Sequence, residues 1–380
     1  MKRTKIRVAL LTLALGMATV SCETDAVEEL GSNPANTSMT DINCFAELKP
    51  QDAKVVVAKT SENLGVSFRN AVEPSECGST ELATVQNKYI TAIIQDPVAL
   101  ANNGLYSDLN YYYSYLLNQG EQYFGEDGDY TKLMVKRQRE LTKFWDMPVE
   151  IRVNGQHTAN LNDRDVLAEV FETFFGFTID GVFVPLTTEQ AYAQADMILE
   201  LNESSPNLPE NPYFATDGFA SSNRTIVIGD GLTGWLAETG VDEGIVWTGI
   251  LAHEWAHEIQ FLNYGDWYPN GAAEDPAADT RYTELEADFM AAYYMTHKRG
   301  ATYNWKRVED FFNLFFQIGD CSFASPGHHG TPLQRLEAAH LGYELAQDAQ
   351  KKGHILTQEE VHEAFASIVQ SIVGTELAKQ

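Results

Sequence analysis

The chain has 380 residues, with 54 acidic side chains against 26 lysines and arginines and a formal net charge of −28. A hydrophobic content of 44% with 11% aromatics can build a sizeable core, which excludes a disordered acidic tail. The acid excess repels phosphate backbones and argues against a nucleic-acid partner, and four cysteines without a Cys-x-x-Cys pair exclude a disulfide scaffold or zinc ribbon.

Lys2, Arg3, Lys5 and Arg7 precede an apolar run from Val8 to Val20, followed by Ser21 and Cys22. As a helix that run reaches about 20 Å, short of the roughly 30 Å hydrocarbon core, so residues 1–21 read as an export signal and not a membrane anchor. A cysteine directly after the run resembles a bacterial lipoprotein signal, although Thr19-Val20-Ser21-Cys22 lacks the usual leucine three residues before the cysteine. The resemblance implies lipidation of Cys22, attachment to a membrane through that lipid, and residence in the cell envelope, facing periplasm or surface. Residues 22–41 are acidic and poor in aromatics and read as a flexible tether. Export permits disulfides, and Cys44–Cys77 is the favoured pair because both lie in loop-like surroundings.

Residues 42–200 form a mixed α/β region. Val55 to Ala58 reads as a short strand, and Leu82–Leu100 and Asp108–Tyr123 read as helices, the second with Tyr111, Tyr112, Tyr113 and Tyr115 crowded for packing. Lys132–Phe144 is a helix. Met147 to Val153 alternates like a strand, and Asn154-Gly155 is a hairpin-turn signal. Asp163 caps a helix to Phe175, Thr187–Leu199 is another, and Thr225 to Ile228 is a strand closed by Gly229-Asp230-Gly231. From Asp242 onward the chain reads as mostly helical, giving an α+β class with a second region over 201–380.

Residues 242–262, capped by Asp242, contain His253-Glu254-Trp255-Ala256-His257. Residues four apart stack on one helical face, so two imidazoles can hold one metal ion, with Glu254 beside the remaining position to take a proton from water. A second helical pattern holds Glu284, Glu286 and Asp288. Glu284 and Asp288 share a face, while Glu286 lies about 160° from Asp288. Glu284 as third ligand, with Asp288 accepting the far ring N–H of a ligating histidine, satisfies both needs from one face. Glu286 then reads as a surface carboxylate.

His253-Glu254-x-x-His257 followed by Glu284-x-x-x-Asp288 resembles the gluzincin zinc metallopeptidases, and more closely the neutral zinc metallopeptidases of bacteria. Leu251 to His257, Ile318-Gly319-Asp320 and His329-Gly330-Thr331-Pro332-Leu333-Gln334-Arg335 stand in that family's order, although Trp255-Ala256 departs from its usual Tyr or Phe then Gly. The resemblance covers residues 210–340. It implies a zincin-like core with one Zn²⁺ on His253, His257 and Glu284, and peptide-bond hydrolysis with Glu254 as base. It further implies that strand 225–228 pairs with an extended peptide or protein substrate. The spacing of His329 and Arg335 resembles the His-Pro-x-x-x-x-Arg segment of membrane-bound CAAX-type zinc proteases, which implies that His329 rather than His328 serves the oxyanion with Arg335. Cys321 reads as a buried or disulfide-bonded cysteine. A lipid-anchored binding or chaperone-like protein that keeps zinc only structurally stays open as the alternative, as does zinc hydrolysis of a non-peptide bond.

Overall fold

The computed structural model describes residues 81–179, 182–273, 276–315 and 330–377. The signal at 1–21, the tether, Cys22, Cys44, Cys77, strand 55–58, Cys321, His328 and His329 lie outside the described residues.

The first helical expectation divides in two, α1 (Glu81–Gln95) and α2 (Pro97–Tyr112), because Asp96-Pro97 breaks the chain and restarts it. Proline lacks the N–H that would continue α1, and the Asp96 side chain accepts from the N–H groups of Val98 and Ala99 at the start of α2. A π-helical turn, Tyr113–Leu117, follows. Helix α3 (Thr131–Phe144), α4 (Arg164–Phe174) and α5 (Thr188–Ser204) come next. Asp163 caps α4, and Thr187 with Gln190 forms a reciprocal capping box on α5. Helix α5 runs through position 200, so the boundary between 42–200 and 201–380 falls inside an element.

Strand β1 (Arg152–Gln156) contains Asn154-Gly155, which therefore makes no hairpin turn. The Asn154 amide is buried and donates to the Ser114 carbonyl at 2.7 Å. A Cβ on Gly155 would stand 2.4 Å from the Tyr123 carbonyl oxygen, so the glycine permits a close approach of two backbones. The hairpin signal lost to these tertiary contacts. Strands β2 (Gly176–Ile179) and β3 (Val182–Pro185) form a separate antiparallel pair.

Strand β4 (Gly218–Ser221) and β5 (Thr225–Gly229) complete the main sheet in the order β1-β5-β4. β1 pairs with β5 in parallel and β4 with β5 antiparallel. Tyr111 and Tyr115 pack on Phe219 and Val227 of this sheet, so the tyrosine cluster is packing, as expected. The strand closes at Gly229-Asp230-Gly231 as expected, and helix α6 (Asp230–Glu238) starts there.

The remaining elements among the described residues are helices: α7 (Glu243–Trp267), α8 (Pro276–Thr296), α9 (Trp305–Phe315), α10 (Pro332–Lys352) and α11 (Gln358–Leu377). The class is α+β, mostly helical with a small sheet. Helix α7 starts where expected, with the Asp242 side chain accepting from the Ile245 N–H, and it is buried on every face from Ile245 to Gln260. Helix α8 packs against both α7 and α10. Gly342 lets α10 approach closely, because a Cβ there would meet the Phe289 carbonyl oxygen at 2.2 Å. One hydrophobic core runs from Leu82 to Ile372 across position 200. No helix among the described residues is long and apolar enough to cross a membrane.

Candidate metal centre

The expected face of α7 meets the expected face of α8. His253, His257 and Glu284 are all buried, and their ligand atoms lie within 4.8 Å of one another. His253 Nε2 is 3.1 Å from His257 Nε2 and 3.2 Å from Glu284 Oε2, and His257 Nε2 is 3.4 Å from Glu284 Oε1. An ion about 2.0–2.1 Å from each of three tetrahedral ligands separates those ligands by about 3.3 Å. The spacing present fits that requirement.

The far side of each ring supports the same reading. His253 Nδ1 lies 3.1 Å from Asp288 Oδ1, and His257 Nδ1 lies 2.8 Å from Gln260 Oε1. Both partners are acceptors, so each Nδ1 carries a proton, and the Nε2 of each ring faces Glu284 as the nitrogen left for a metal. Burial alone would lower the His253 pKa, but the carboxylates of Asp288 and Glu284 outweigh it and push the ring up to about 9. The centre favours positive charge.

Charge balance shows why. Glu254, Glu258, Glu284, Glu286 and Asp288 are all buried on α7 and α8. The Arg335 guanidinium reaches them from α10, with Nε 2.7 Å from Asp288 Oδ2, Nη2 2.9 Å from Asp288 Oδ1 and Nη2 3.7 Å from Glu284 Oε2. Buried charge is costly unless it is paired, and one guanidinium leaves the group with a surplus of acid that a divalent cation would offset. The described residues therefore fit a metal ion in donor type, spacing and charge.

Glu254 is buried one residue after the first histidine. The peptide N–H of Ala220 on β4 bonds its carboxylate, whereas Oε2 has no hydrogen-bond partner among the described residues. Burial pushes its carboxyl above the usual range, against the pull of the His253 and His257 charges. Glu258, one turn further on, has no well-formed hydrogen bond at either carboxyl oxygen among the described residues. Burial pushes it up to about 8, with only a weaker opposing pull from the Ser221 peptide and the Arg224 charge.

Two expectations need correction. Glu286 is not a surface carboxylate: it is fully buried, and it accepts from Gln260 Nε2 at 3.0 Å and from the Tyr268 hydroxyl, with His362 Nδ1 2.6 Å away. Helix α8 is enclosed by α7, α10 and α11, so both of its faces are interior. Strand 225–228 cannot take a substrate strand, because β5 is the central strand with both edges paired. Of the two edge strands, β4 is the one that meets α7 at Glu254. Arg335 does reach the centre, but its planar fork is engaged by Asp288. Gln260, Tyr268 and His362 went unread. Gln260 was within reach of the helical period, three residues after His257, whereas His362 was not.

No family model, no curated protein and no solved structure matches this chain.

Proposed function

We propose that the centre on α7 and α8 binds zinc and hydrolyses peptide bonds, within a zincin-like arrangement of two helices beside an edge strand. The observation that carries this reading is Glu254, whose Oε2 has no hydrogen-bond partner among the described residues and whose neighbours are three converging ligand groups. A purely structural metal site needs ligands and no base. When bound, zinc supplies Lewis acidity to the scissile carbonyl and lowers the pKa of water.

The chain's own residues then have distinct tasks. His253, His257 and Glu284 hold the ion. Asp288 and Gln260 fix the ring tautomers. Glu254 takes a proton from the water that attacks the carbonyl carbon, and its acid form returns the proton to the leaving amine. The Glu254→Gln variant should retain zinc and fold but lose turnover of unfolded protein substrates by at least about 10²-fold, since an amide cannot accept the proton. Zinc-loaded Glu254→Gln cleaving at the wild-type rate would overturn the assignment. Zinc-loaded wild-type protein that cleaves nothing would leave the non-catalytic alternative.

A further inference from the structure

The two candidate histidine ligands are anchored differently. His253 meets a carboxylate directly, as metal-bound histidines commonly do. His257 meets a neutral amide, Gln260, whose two ends have opposite hydrogen-bonding character. If the amide turned over, its NH₂ would face His257 Nδ1 and force the proton onto Nε2, where it would block a metal. Something must hold the amide in one orientation.

Two acceptors do so. Gln260 Nε2 donates to the Thr283 carbonyl at 2.9 Å and to Glu286 Oε2 at 3.0 Å. Neither group can donate, so the amide nitrogen must face them and Oε1 is left for His257. Glu286 is kept in place by two further donors. The Tyr268 hydroxyl, from the residue after α7, bonds Oε2, and His362 of α11 meets Oε1 at 2.6 Å. The His362 ring lies flat on Trp267, with centroids 4.2 Å apart and planes 5° apart, and the Trp267 indole N–H donates to Glu359 at 2.7 Å. The chain of contacts therefore runs from α11, near the surface, to the metal-facing ring without a gap.

We propose that Glu286, held by His362 of the C-terminal helix, is a positioning residue that locks the Gln260 amide and thereby the metal-binding tautomer of His257. The inference rests on the metal-centre reading and deepens it, since α11 becomes part of the site although it contributes no ligand. Packing alone would not require a carboxylate at 286. The lock does, because the carboxylate adds to the Thr283 carbonyl a second acceptor that cannot donate.

Zinc affinity, measured by competition with a chromophoric chelator, tests the proposal on two variants. Glu286→Gln nearly preserves shape but can donate as well as accept, and should weaken zinc binding by about 10–100-fold. His362→Leu, at a partly exposed position, should give a smaller loss in the same direction. Wild-type affinity in Glu286→Gln overturns the lock. The ring tautomer of His257 in the metal-free protein, read from ¹⁵N chemical shifts, provides an independent answer. The proton should sit on Nδ1 in the wild type and shift toward Nε2 in Glu286→Gln; an unchanged tautomer overturns the lock. Wild-type protein that takes up no zinc would defeat the metal-centre reading, while the tautomer would still decide the network.

Discussion

Asp288 joins the His253 ring to the Arg335 guanidinium, so one carboxylate orients a candidate ligand and neutralises a buried cation. Arg335 is 1% exposed, and removing it leaves Asp288 charged and underpaired in the interior. Arg335→Leu should therefore destabilise the metal-free protein by about 3–5 kcal/mol in urea denaturation, and Arg335→Leu with Asp288→Leu by less. A loss below about 1 kcal/mol in the single variant would show that the guanidinium is not a structural partner. At this scale the sequence was most legible where partners share a helix. The His253–His257 and Glu284–Asp288 spacings follow from helical geometry, and both pairs face the centre. Glu286 was misread because periodicity tells which face a residue occupies but not whether another helix covers that face. His362 stands 76 positions from Glu286 and meets it only through the fold.

Helix caps were legible for the same local reason. Asp163 and Asp242 cap the helices expected of them, and Thr187, expected as the first residue of its helix, caps it. Asp96 was missed, although its position before a proline is a start signal. Its carboxylate accepts from Ser205 Oγ at 2.5 Å and Asn207 Nδ2 at 3.0 Å, and these bonds, helped by the Ala99 and Val98 N–H groups, hold its pKa down to about 2. The folded value lies below the unfolded value of about 3.9, so this stabilisation is complete above about pH 4 and is lost as pH falls through about 2. Asp96→Ala should cost about 1 kcal/mol at neutral pH, with the gap to wild type narrowing as pH falls from about 4 to about 2. Denaturation curves at several pH values check this, and a constant gap would contradict it. Sheet elements were harder to read. Asn154-Gly155 has local turn character, but β1 is fixed by pairing with β5, from Arg152 against Thr225 to Gln156 against Gly229. That partner lies far along the chain.

Across the whole molecule, the acidic composition acquires an interior counterpart. Most of a −28 charge can be solvated at the surface, but carboxylates enclosed between α7, α8 and α10 cannot. From Ile245 to Gln260 helix α7 is buried all round and still carries two histidines and two glutamates, an arrangement that apolar packing alone does not explain. A bound dication does explain it, by balancing the acid surplus that Arg335 leaves and using the ring nitrogens that Asp288 and Gln260 orient. Metal analysis of purified wild-type protein beside His257→Ala tests this most directly. The account predicts one zinc per chain in the wild type and little or none in His257→Ala. Full zinc occupancy in His257→Ala, or wild-type protein that binds no zinc, would contradict it.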